Sequence, residues 1–195
     1  MHYFNLQKFQ FIDDLNINLI SEDTTNLSII YRNYSKTIKS RKLIKIKQFC
    51  KKKGVKFYIS NNIEECLKHD LDGLYIPSFN KKNLTKKLKL HKQTIIGSAH
   101  NHMEIRKKIE QGCKIIFLSP LFKTYKLKYL DVPKFNLIKM PFKNKFVALG
   151  GINQKNIQKI KMLDIYGISG IRMYKKKPAF LKAGFFLYMR IPEIP

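Results

Sequence analysis

The chain is short of cysteines and of long apolar runs, and each shortage excludes a class of protein. It has 3 cysteines in 195 residues, at Cys50, Cys66 and Cys113. Their odd number and wide spacing argue against a disulfide framework and favour a reducing compartment, so we expect a cytoplasmic protein. No metal-ligand spacing joins them to the histidines. No apolar run reaches the roughly 18 residues that a membrane-spanning helix needs, so we expect no membrane partner.

Acidic residues are also scarce. There are 13 Asp and Glu against 39 Lys and Arg, a formal net charge of +26. Such an excess is typical of nucleic-acid-binding proteins, because lysines neutralise phosphates. The lysines, however, lie mostly in predicted helices and are not interleaved with aromatic residues, which is the pattern of solvated helix faces. We therefore expect small phosphate-bearing substrates, which a basic surface attracts, rather than nucleic acid.

Short apolar runs alternate with helical patterns along the chain. Predicted strands cover residues 9–12, 27–31, 55–59, 73–76, 94–96, 114–118, 145–149 and 167–173. Predicted helices cover residues 35–53, 63–68, 84–90, 101–111 and 153–163. Near-continuous apolar strands between helices indicate a parallel sheet that is covered on both faces. Eight of them predict a compact (β/α)8 TIM barrel, whereas the alternative, an open flavodoxin-like sheet, would use only about five.

Two segments depart from this rhythm within the single domain that we expect over residues 1–195. Residues 123–143 are basic and contain Tyr125, Tyr129 and Pro133. This segment is either a loop that closes over a ligand or an irregular connection. Residues 176–195 are apolar and aromatic, and they form the eighth helix of the barrel, a membrane-surface segment or an irregular C-terminal tail.

The unit around residue 100 illustrates how each strand is expected to end. Its strand stops at Gly97, and Asn101 begins a helix as an N-cap residue. His102, Ile105 and Ile109 fall on one helical face, which we expect to be buried against the strands.

Polar and small residues follow most of the predicted strands. Because the carboxyl ends of parallel strands meet at one rim, we expect these residues to lie together. Asp13 and Asp14 are the only acids near a strand end, which argues against a two-carboxylate mechanism. The hydroxyls, amides, glycines and arginine of the rim suit phosphate oxygens. The rim residues are Arg32, Ser60, Asn61, Ser78, Asn80, Ser98, His100, Ser119, Thr124, Gly150, Gly151 and Ser169.

Two places at the rim have both a chemical and a structural interpretation. Gly150 and Gly151 precede the predicted helix 153–163. They either let the backbone approach a phosphate at the helix N-terminus or form a tight turn with positive φ. His100 is the histidine expected at the rim, and it either moves protons near neutral pH or hydrogen-bonds its own loop.

Five motifs occur along the chain in a fixed order. They are DGLYIPSFN at 72–80, GSAH at 97–100, SPLFKT at 119–124, ALGGIN at 148–153 and YGISGIRM at 166–173. They resemble the D-G-h-H-h-G-Q-x-D, G-x-S-x-H, G-P-x-F-x-T, A-h-G-G-I and final-strand elements of the thiamine phosphate synthase and TenI family, where h is a hydrophobic residue. The likeness covers roughly residues 27–173 and implies a TIM-barrel fold.

The resemblance also implies roles for individual residues. Arg32, Ser60 and Ser98 fall at positions where the family contacts a pyrimidine diphosphate. A second set falls where the family holds a thiazole phosphate: Thr124, Tyr125, Lys126, Gly150, Gly151, Met173 and Tyr174.

The chain departs from the family pattern on the diphosphate side. Asn61 and Asn80 replace the two aspartates that hold Mg²⁺ in the synthases, and amides bind Mg²⁺ far less well than carboxylates. Ile30 and Tyr34 replace the glutamine and the lysine that flank the family's arginine.

The resemblance implies an enzyme of thiamine biosynthesis, and we expect a transferase. A synthase joins the pyrimidine diphosphate to the thiazole phosphate and releases pyrophosphate, with Arg32 stabilising the leaving diphosphate and Mg²⁺ as cofactor. The alternative is a TenI-like isomerase that tautomerises a thiazole phosphate, with His100 moving a proton and no metal. A third hypothesis is a non-catalytic barrel that binds phosphate ligands or RNA.

Overall fold

Eight parallel strands close into a barrel in a computed structural model, which describes residues 6–34, 37–82, 92–124 and 128–170. The strands are β1 Gln7–Ile12, β2 Leu27–Tyr31, β3 Lys56–Ser60, β4 Gly73–Ile76, β5 Thr94–Ala99, β6 Ile115–Leu118, β7 Lys145–Leu149 and β8 Gly167–Ser169. Each strand pairs with its neighbours in sequence, and β1 also pairs with β8, so that Phe9 lies opposite both Ser28 and Ser169. The predicted (β/α)8 barrel is confirmed, and the open sheet is excluded.

Helices cover the outside of this barrel. Those in the described ranges are α1 Ser40–Lys52, α2 Ile63–Lys68, α3 His102–Glu110 and α4 Asp131–Lys139, with short 3-10 helices at Ile17–Leu19 and Ile157–Met162. In α1, Leu43, Ile46 and Cys50 recur every three or four residues and bury one face. Gly54, at φ 64°, then turns the chain towards β3. The predicted helix at 84–90, residues 171–173 of the predicted eighth strand and the tail 176–195 lie outside the described residues.

The core has two layers because successive strand residues point to opposite sides of the barrel wall. Ile29 packs in the layer between strands and helices, whereas Ile30 points into the barrel interior. The interior is filled largely by aromatic rings: Phe117 lies 4.9 Å from Phe9 and 5.6 Å from Tyr75, between ring centres. Burying each such ring stabilises the fold by roughly 1.5–3 kcal/mol. The barrel is therefore a packed core, and ligands must bind at its ends.

The cysteines belong to the outer layer. Cys50, Cys66 and Cys113 are free thiols, all buried. Burial raises the pKa of each thiol to about 12, so they are protonated and unreactive at neutral pH. Within the ranges that the structure describes, no helix has both the length and the apolar character to cross a bilayer.

Strand β5 is longer than predicted. It does not stop at Gly97 but continues to Ala99. Glycine is required at 97 for a packing reason, because a Cβ atom there would lie 2.7 Å from Sγ of Cys113 and 2.8 Å from Cδ of Lys108. The glycine therefore marks a close approach of α3 and the following turn to the strand.

The buried face of α3 also differs from the prediction. Asn101 is the N-cap as expected, and its side chain accepts the backbone N–H of Glu104. The buried side chains are Ile105 and Lys108, whereas Ile109 is exposed. The expected apolar face was therefore wrong in all but Ile105, because the helix turns a lysine towards the strands.

The connection at 123–143 contains a helix, so neither a loop nor an irregular connection describes residues 131–139. Helix α4 buries Val132, Phe135 and Ile138. Pro133 stands in its first turn, where a backbone N–H has no acceptor within the helix, so the proline is tolerated there.

Candidate functional site

Arg32 follows β2 at the carboxyl end of the barrel. Its backbone N–H donates to the carbonyl of Ile12 at 2.8 Å, which extends the parallel pairing past the end of the strand. The guanidinium carbon lies 4.7 Å from the centre of the Phe11 ring. Phe11 packs edge-on against Tyr75, with 5.3 Å between ring centres. A cation over an aromatic face is held by the ring quadrupole, so Arg32 is fixed above an aromatic floor.

Tyr75 links this arginine to Ser98. Its hydroxyl lies close to Ser98, and the charge of Arg32 acts on it. Burial nevertheless raises the pKa of Tyr75 to about 12, so the hydroxyl stays protonated at neutral pH. The structure thus brings Arg32 and Ser98 together as expected, and it adds Tyr75 and Phe11. Strand alternation could have shown that both aromatic residues point inward.

Ser60 lies at the end of β3 and contacts Tyr34, which in turn packs against a second aromatic side chain. Its Oγ lies 2.9 Å from the hydroxyl of Tyr34, which stands where the resemblance places a lysine. The ring of Tyr34 packs edge-on against Phe79, at 5.6 Å between ring centres. Both rings are exposed on their outer sides. The side chains after β2 and β4 therefore meet beside the end of β3.

Asn61 and Asn80 are partners in one hydrogen bond. The Nδ2 of Asn80 donates to Oδ1 of Asn61, and Oδ1 of Asn80 accepts the backbone N–H of Lys82 at 2.9 Å. Both amide oxygens therefore already accept N–H groups. In the part of the chain that the structure describes, no group of three His, Cys, Asp or Glu residues could hold a metal ion. Since Mg²⁺ takes oxygen ligands, usually with at least one carboxylate, this donor set does not fit it.

His100 is held by the carboxylate of Glu104, which was not among the predicted site residues. Its Nδ1 lies 2.8 Å from Oε2 of Glu104, and its backbone N–H donates to the same oxygen at 2.9 Å. His100 is thus tied to the first turn of α3. A proton on Nδ1 leaves Nε2 as the nitrogen that could exchange protons with a ligand. The four-residue spacing to the capping glutamate was the available signal.

Gly150 and Gly151 form a tight turn with φ 94° and 72° after β7. The Gly150 carbonyl accepts the backbone N–H of Phe122 at 3.1 Å, so the turn packs against the loop after β6. A Cβ atom on Gly150 would lie 2.9 Å from that of Pro120. The turn interpretation is confirmed, and the glycines are needed for this close packing.

The helix expected at 153–163 is not an α-helix. Residues 154–156 form a turn, and a 3-10 helix covers Ile157–Met162. The side-chain amides of Asn153 and Asn156 both donate to the Gly151 carbonyl, at 3.1 and 2.8 Å. Asparagine side chains bonded to the backbone thus compete with helical pairing. The predicted α-helix therefore does not start directly after Gly150 and Gly151, because the 3-10 helix begins only at Ile157.

Six of the remaining predicted positions divide into three groups. Thr124 lies in the loop after β6, whose residue Phe122 bonds Gly150, so the two predicted positions follow neighbouring strands at the rim. Ser169 is buried and donates to the Phe9 carbonyl at 2.7 Å, which makes it part of the barrel closure. Four positions lie outside the described residues: Tyr125, Lys126, Met173 and Tyr174.

The part of the chain that carries these residues is similar to known proteins. The family model described as thiamine monophosphate synthase matches residues 25–174. A thiamine-phosphate synthase of Prochlorococcus marinus is 32% identical over 126 residues, which are 63% of this chain and 36% of the relative. Another, from Prochlorococcus marinus subsp. pastoris, is 30% identical over 135 residues, 67% of this chain and 38% of the relative. The chain therefore spans little more than a third of the length of these relatives.

A solved structure supports the fold. The thiamine phosphate pyrophosphorylase of Pyrococcus furiosus superposes with a TM-score of 0.66 and 20% identity, over 85% of each chain. The family model covers residues 25–174, well over half of the 195 residues, so this chain belongs to the thiamine monophosphate synthase family.

Proposed function

We propose that this barrel is a transferase of thiamine biosynthesis, which couples a pyrimidine diphosphate to a thiazole phosphate and releases pyrophosphate. The observation that carries the proposal is Arg32, fixed over Phe11 and adjacent to the Tyr75–Ser98 pair. The two Prochlorococcus relatives are named as thiamine-phosphate synthases, which supports the same assignment.

The Arg32 side of the rim suits the pyrimidine diphosphate. A guanidinium group binds phosphate oxygens through two parallel hydrogen bonds, and its charge does not titrate near neutral pH. The aromatic floor of Phe11 and Tyr75 offers a flat apolar surface beside it. When the diphosphate leaves, it carries negative charge away from the carbon to which it was bonded. Arg32 stabilises that charge where it develops.

The other side of the rim suits the thiazole phosphate. The Gly150–Gly151 turn brings backbone close to the loop after β6, in which Thr124 lies. Glycine backbone and a threonine hydroxyl are groups that hold phosphate oxygens without adding bulk. The two substrates would then lie side by side across the end of the barrel.

Mg²⁺ carries no step in this proposal. The family resemblance implies the metal, but Asn61 and Asn80 are bonded to each other and do not fit it. The groups of the described chain that oppose the diphosphate charge are Arg32 and the hydroxyls of Ser60 and Ser98.

Calorimetric titration of each substrate with and without Mg²⁺ tests the proposal. We expect both substrates to bind, and Arg32→Ala to weaken the pyrimidine diphosphate by about 10–100-fold, because a charged hydrogen-bonding partner is lost. Arg106→Ala is the matched control, since Arg106 is exposed on α3. If neither substrate binds the wild-type protein, or if the two variants behave alike, the synthase proposal is wrong.

The His100–Glu104 pair favours a second candidate, tautomerisation of a thiazole phosphate. Glu104 fixes Nδ1 of His100, so Nε2 could take a proton from one ring position and return it to another. This reaction needs no diphosphate and no metal. A His100→Ala variant that tautomerises the substrate at the wild-type rate would remove this candidate.

A further inference from the structure

Helix α3 buries a lysine against the loop after β4. The side chain of Lys108 is 1% exposed. Its ammonium donates three hydrogen bonds of 2.8 Å each, to the carbonyls of Pro77 and Asn80 and to Oε1 of Gln111. These bonds use all three N–H groups of the ammonium. The three acceptors are neutral. Burying an ammonium group away from water without a counter-ion costs free energy, so packing alone does not explain a lysine at this position.

Gln111 completes the contact. It is 0% exposed, and its Nε2 donates to the carbonyls of Asn80 and Lys82, at 3.0 and 2.6 Å. Lys108 and Gln111 lie three residues apart, at one end of α3 and just beyond it, so their side chains face the same loop. Together they bind the backbone of residues 77–82 at three places.

The bonded loop carries one member of the asparagine pair. This residue is Asn80. Its carbonyl accepts hydrogen bonds from Lys108 and Gln111, and its side chain donates to Asn61, which follows β3. A continuous set of hydrogen bonds thus runs from α3, through Asn80, to Asn61. Its far end lies next to Ser60, on the side of the rim that we assign to the diphosphate.

The backbone of β5 accommodates this arrangement. The aliphatic part of Lys108 passes over Gly97, where a Cβ atom would lie 2.8 Å from the lysine Cδ. A lysine at 108 and a glycine at 97 therefore depend on each other. The next residue of β5, Ser98, lies beside Tyr75.

We propose that Lys108 and Gln111 are positioning residues that fix the loop after β4, and with it the Asn61–Asn80 pair, at the diphosphate end of the site. In a site with carboxylates at 61 and 80, a bound cation would draw the two loops together. Here the amide pair joins them directly, and the ammonium of Lys108 anchors the loop from inside. The consequence for diphosphate binding rests on the proposed function, whereas the anchoring of the loop does not.

Three variants test the proposal. Lys108→Met removes the ammonium and keeps the length of the side chain. Gln111→Glu keeps an acceptor for Lys108 and gives it a counter-ion, but cannot donate to Asn80 and Lys82, so it remains informative if Lys108→Met fails to fold. Lys107→Met is the matched control, since Lys107 is partly exposed and pairs with Glu110 at 2.9 Å. The probes are inorganic pyrophosphate, thiazole phosphate, and hydrogen exchange of the amides of Asn80 and Lys82.

We expect both Lys108→Met and Gln111→Glu to weaken pyrophosphate about tenfold, and to change thiazole phosphate binding less than about twofold. Both should speed amide exchange at Asn80 and Lys82, and Lys107→Met should change none of these. Unchanged pyrophosphate binding, or an equal loss for both ligands, overturns the proposal. If the wild-type protein binds neither ligand, the proposed function is wrong, but the anchoring of the loop can still be tested. The exchange rates then decide, since wild-type exchange in Lys108→Met would refute the anchoring.

Discussion

The asparagine pair allows a direct test of why a metal does not fit this rim. The change is the double substitution Asn61→Asp and Asn80→Asp, which restores the two carboxylates that the resemblance implies. In the present chain the two amides are in hydrogen-bond contact. Two carboxylates with oxygens about 3 Å apart would repel each other by roughly 5 kcal/mol at an effective dielectric constant of about 20. Without a cation, the double variant should therefore lose several kcal/mol of stability or share a proton between the two groups.

Mg²⁺ should reverse this loss. A cation at about 100 times its Kd stabilises a folded protein by roughly 2.7 kcal/mol, which corresponds to a rise of roughly 5–10 °C in Tm at this chain length. The assay is thermal unfolding in the presence of Mg²⁺ or EDTA. Asn61→Asp alone is the control, because a single carboxylate can still accept the N–H of Asn80 and creates no repulsion.

Two results would refute the reasoning. If the wild-type protein gains as much from Mg²⁺ as the double variant, the amides do bind the ion and the donor-set argument is wrong. If the double variant gains nothing, the two positions do not converge on a metal even as carboxylates.

Two further predictions concern the packing of α3. Burial lowers the pKa of Lys108 from 10.5 to about 8. Attraction by Cys113 and Glu104 partly opposes this shift, and repulsion by Lys107 adds to it. The native state therefore binds fewer protons than the unfolded state between about pH 8 and 10.5, so the free energy of unfolding should rise with pH across that window by roughly 3 kcal/mol. Urea unfolding at several pH values checks this, and an equal rise in Lys108→Met would contradict it. Gly97→Ala should cost roughly 1–3 kcal/mol through overpacking, and Cys113→Ala should relieve part of that cost, because the Cβ would lie 2.7 Å from the cysteine sulfur. Gly54→Ala is the control, since its cost comes from φ 64° with nothing within 4 Å, and Cys113→Ala should not relieve it.

The strands could be predicted from the sequence because their signal is local. The runs at Leu27–Tyr31, Gly73–Ile76 and Lys145–Leu149 were predicted with the bounds that the structure has. Each is a short, nearly continuous apolar segment, as expected for a parallel sheet that is buried on both faces. Their number and spacing were then sufficient for a closed barrel.

The helices were harder to predict because tertiary packing overrides local pattern. Its position in a lysine-rich helix predicted that Lys108 lies on a solvated face. The carbonyls that accept its hydrogen bonds belong to a loop about 30 residues earlier in the chain, and local pattern does not reveal such a contact. Ile109 looked buried, yet it is exposed. In α4 the apolar Leu137, and Met140 just after the helix, are exposed beside the buried face and Pro133 stands in the first turn, so the apolar residues do not mark one helical face in the sequence.

The positions of site residues that directly follow strands could be predicted from the sequence. The contacts between their side chains could not. Arg32 and Ser98 were expected at the rim from position alone. The sequence gives no distance between Tyr34 and Ser60, which lie 26 residues apart and touch at 2.9 Å. Glu104 follows His100 by four residues, but its contact with His100 depends on the conformation of the intervening turn.

The pairing of β1 with β8 has a consequence for how the barrel forms during synthesis. Gln7 lies opposite Gly167, and the hydroxyl of Ser169 reaches the carbonyl of Phe9, 160 residues earlier. A growing chain on the ribosome cannot close the ring until this last strand has left the exit tunnel. Until then β1 and the newest strand present open edges that can pair with other chains. Chains cut before residue 167 should therefore aggregate through those edges, however well their other seven strands are formed.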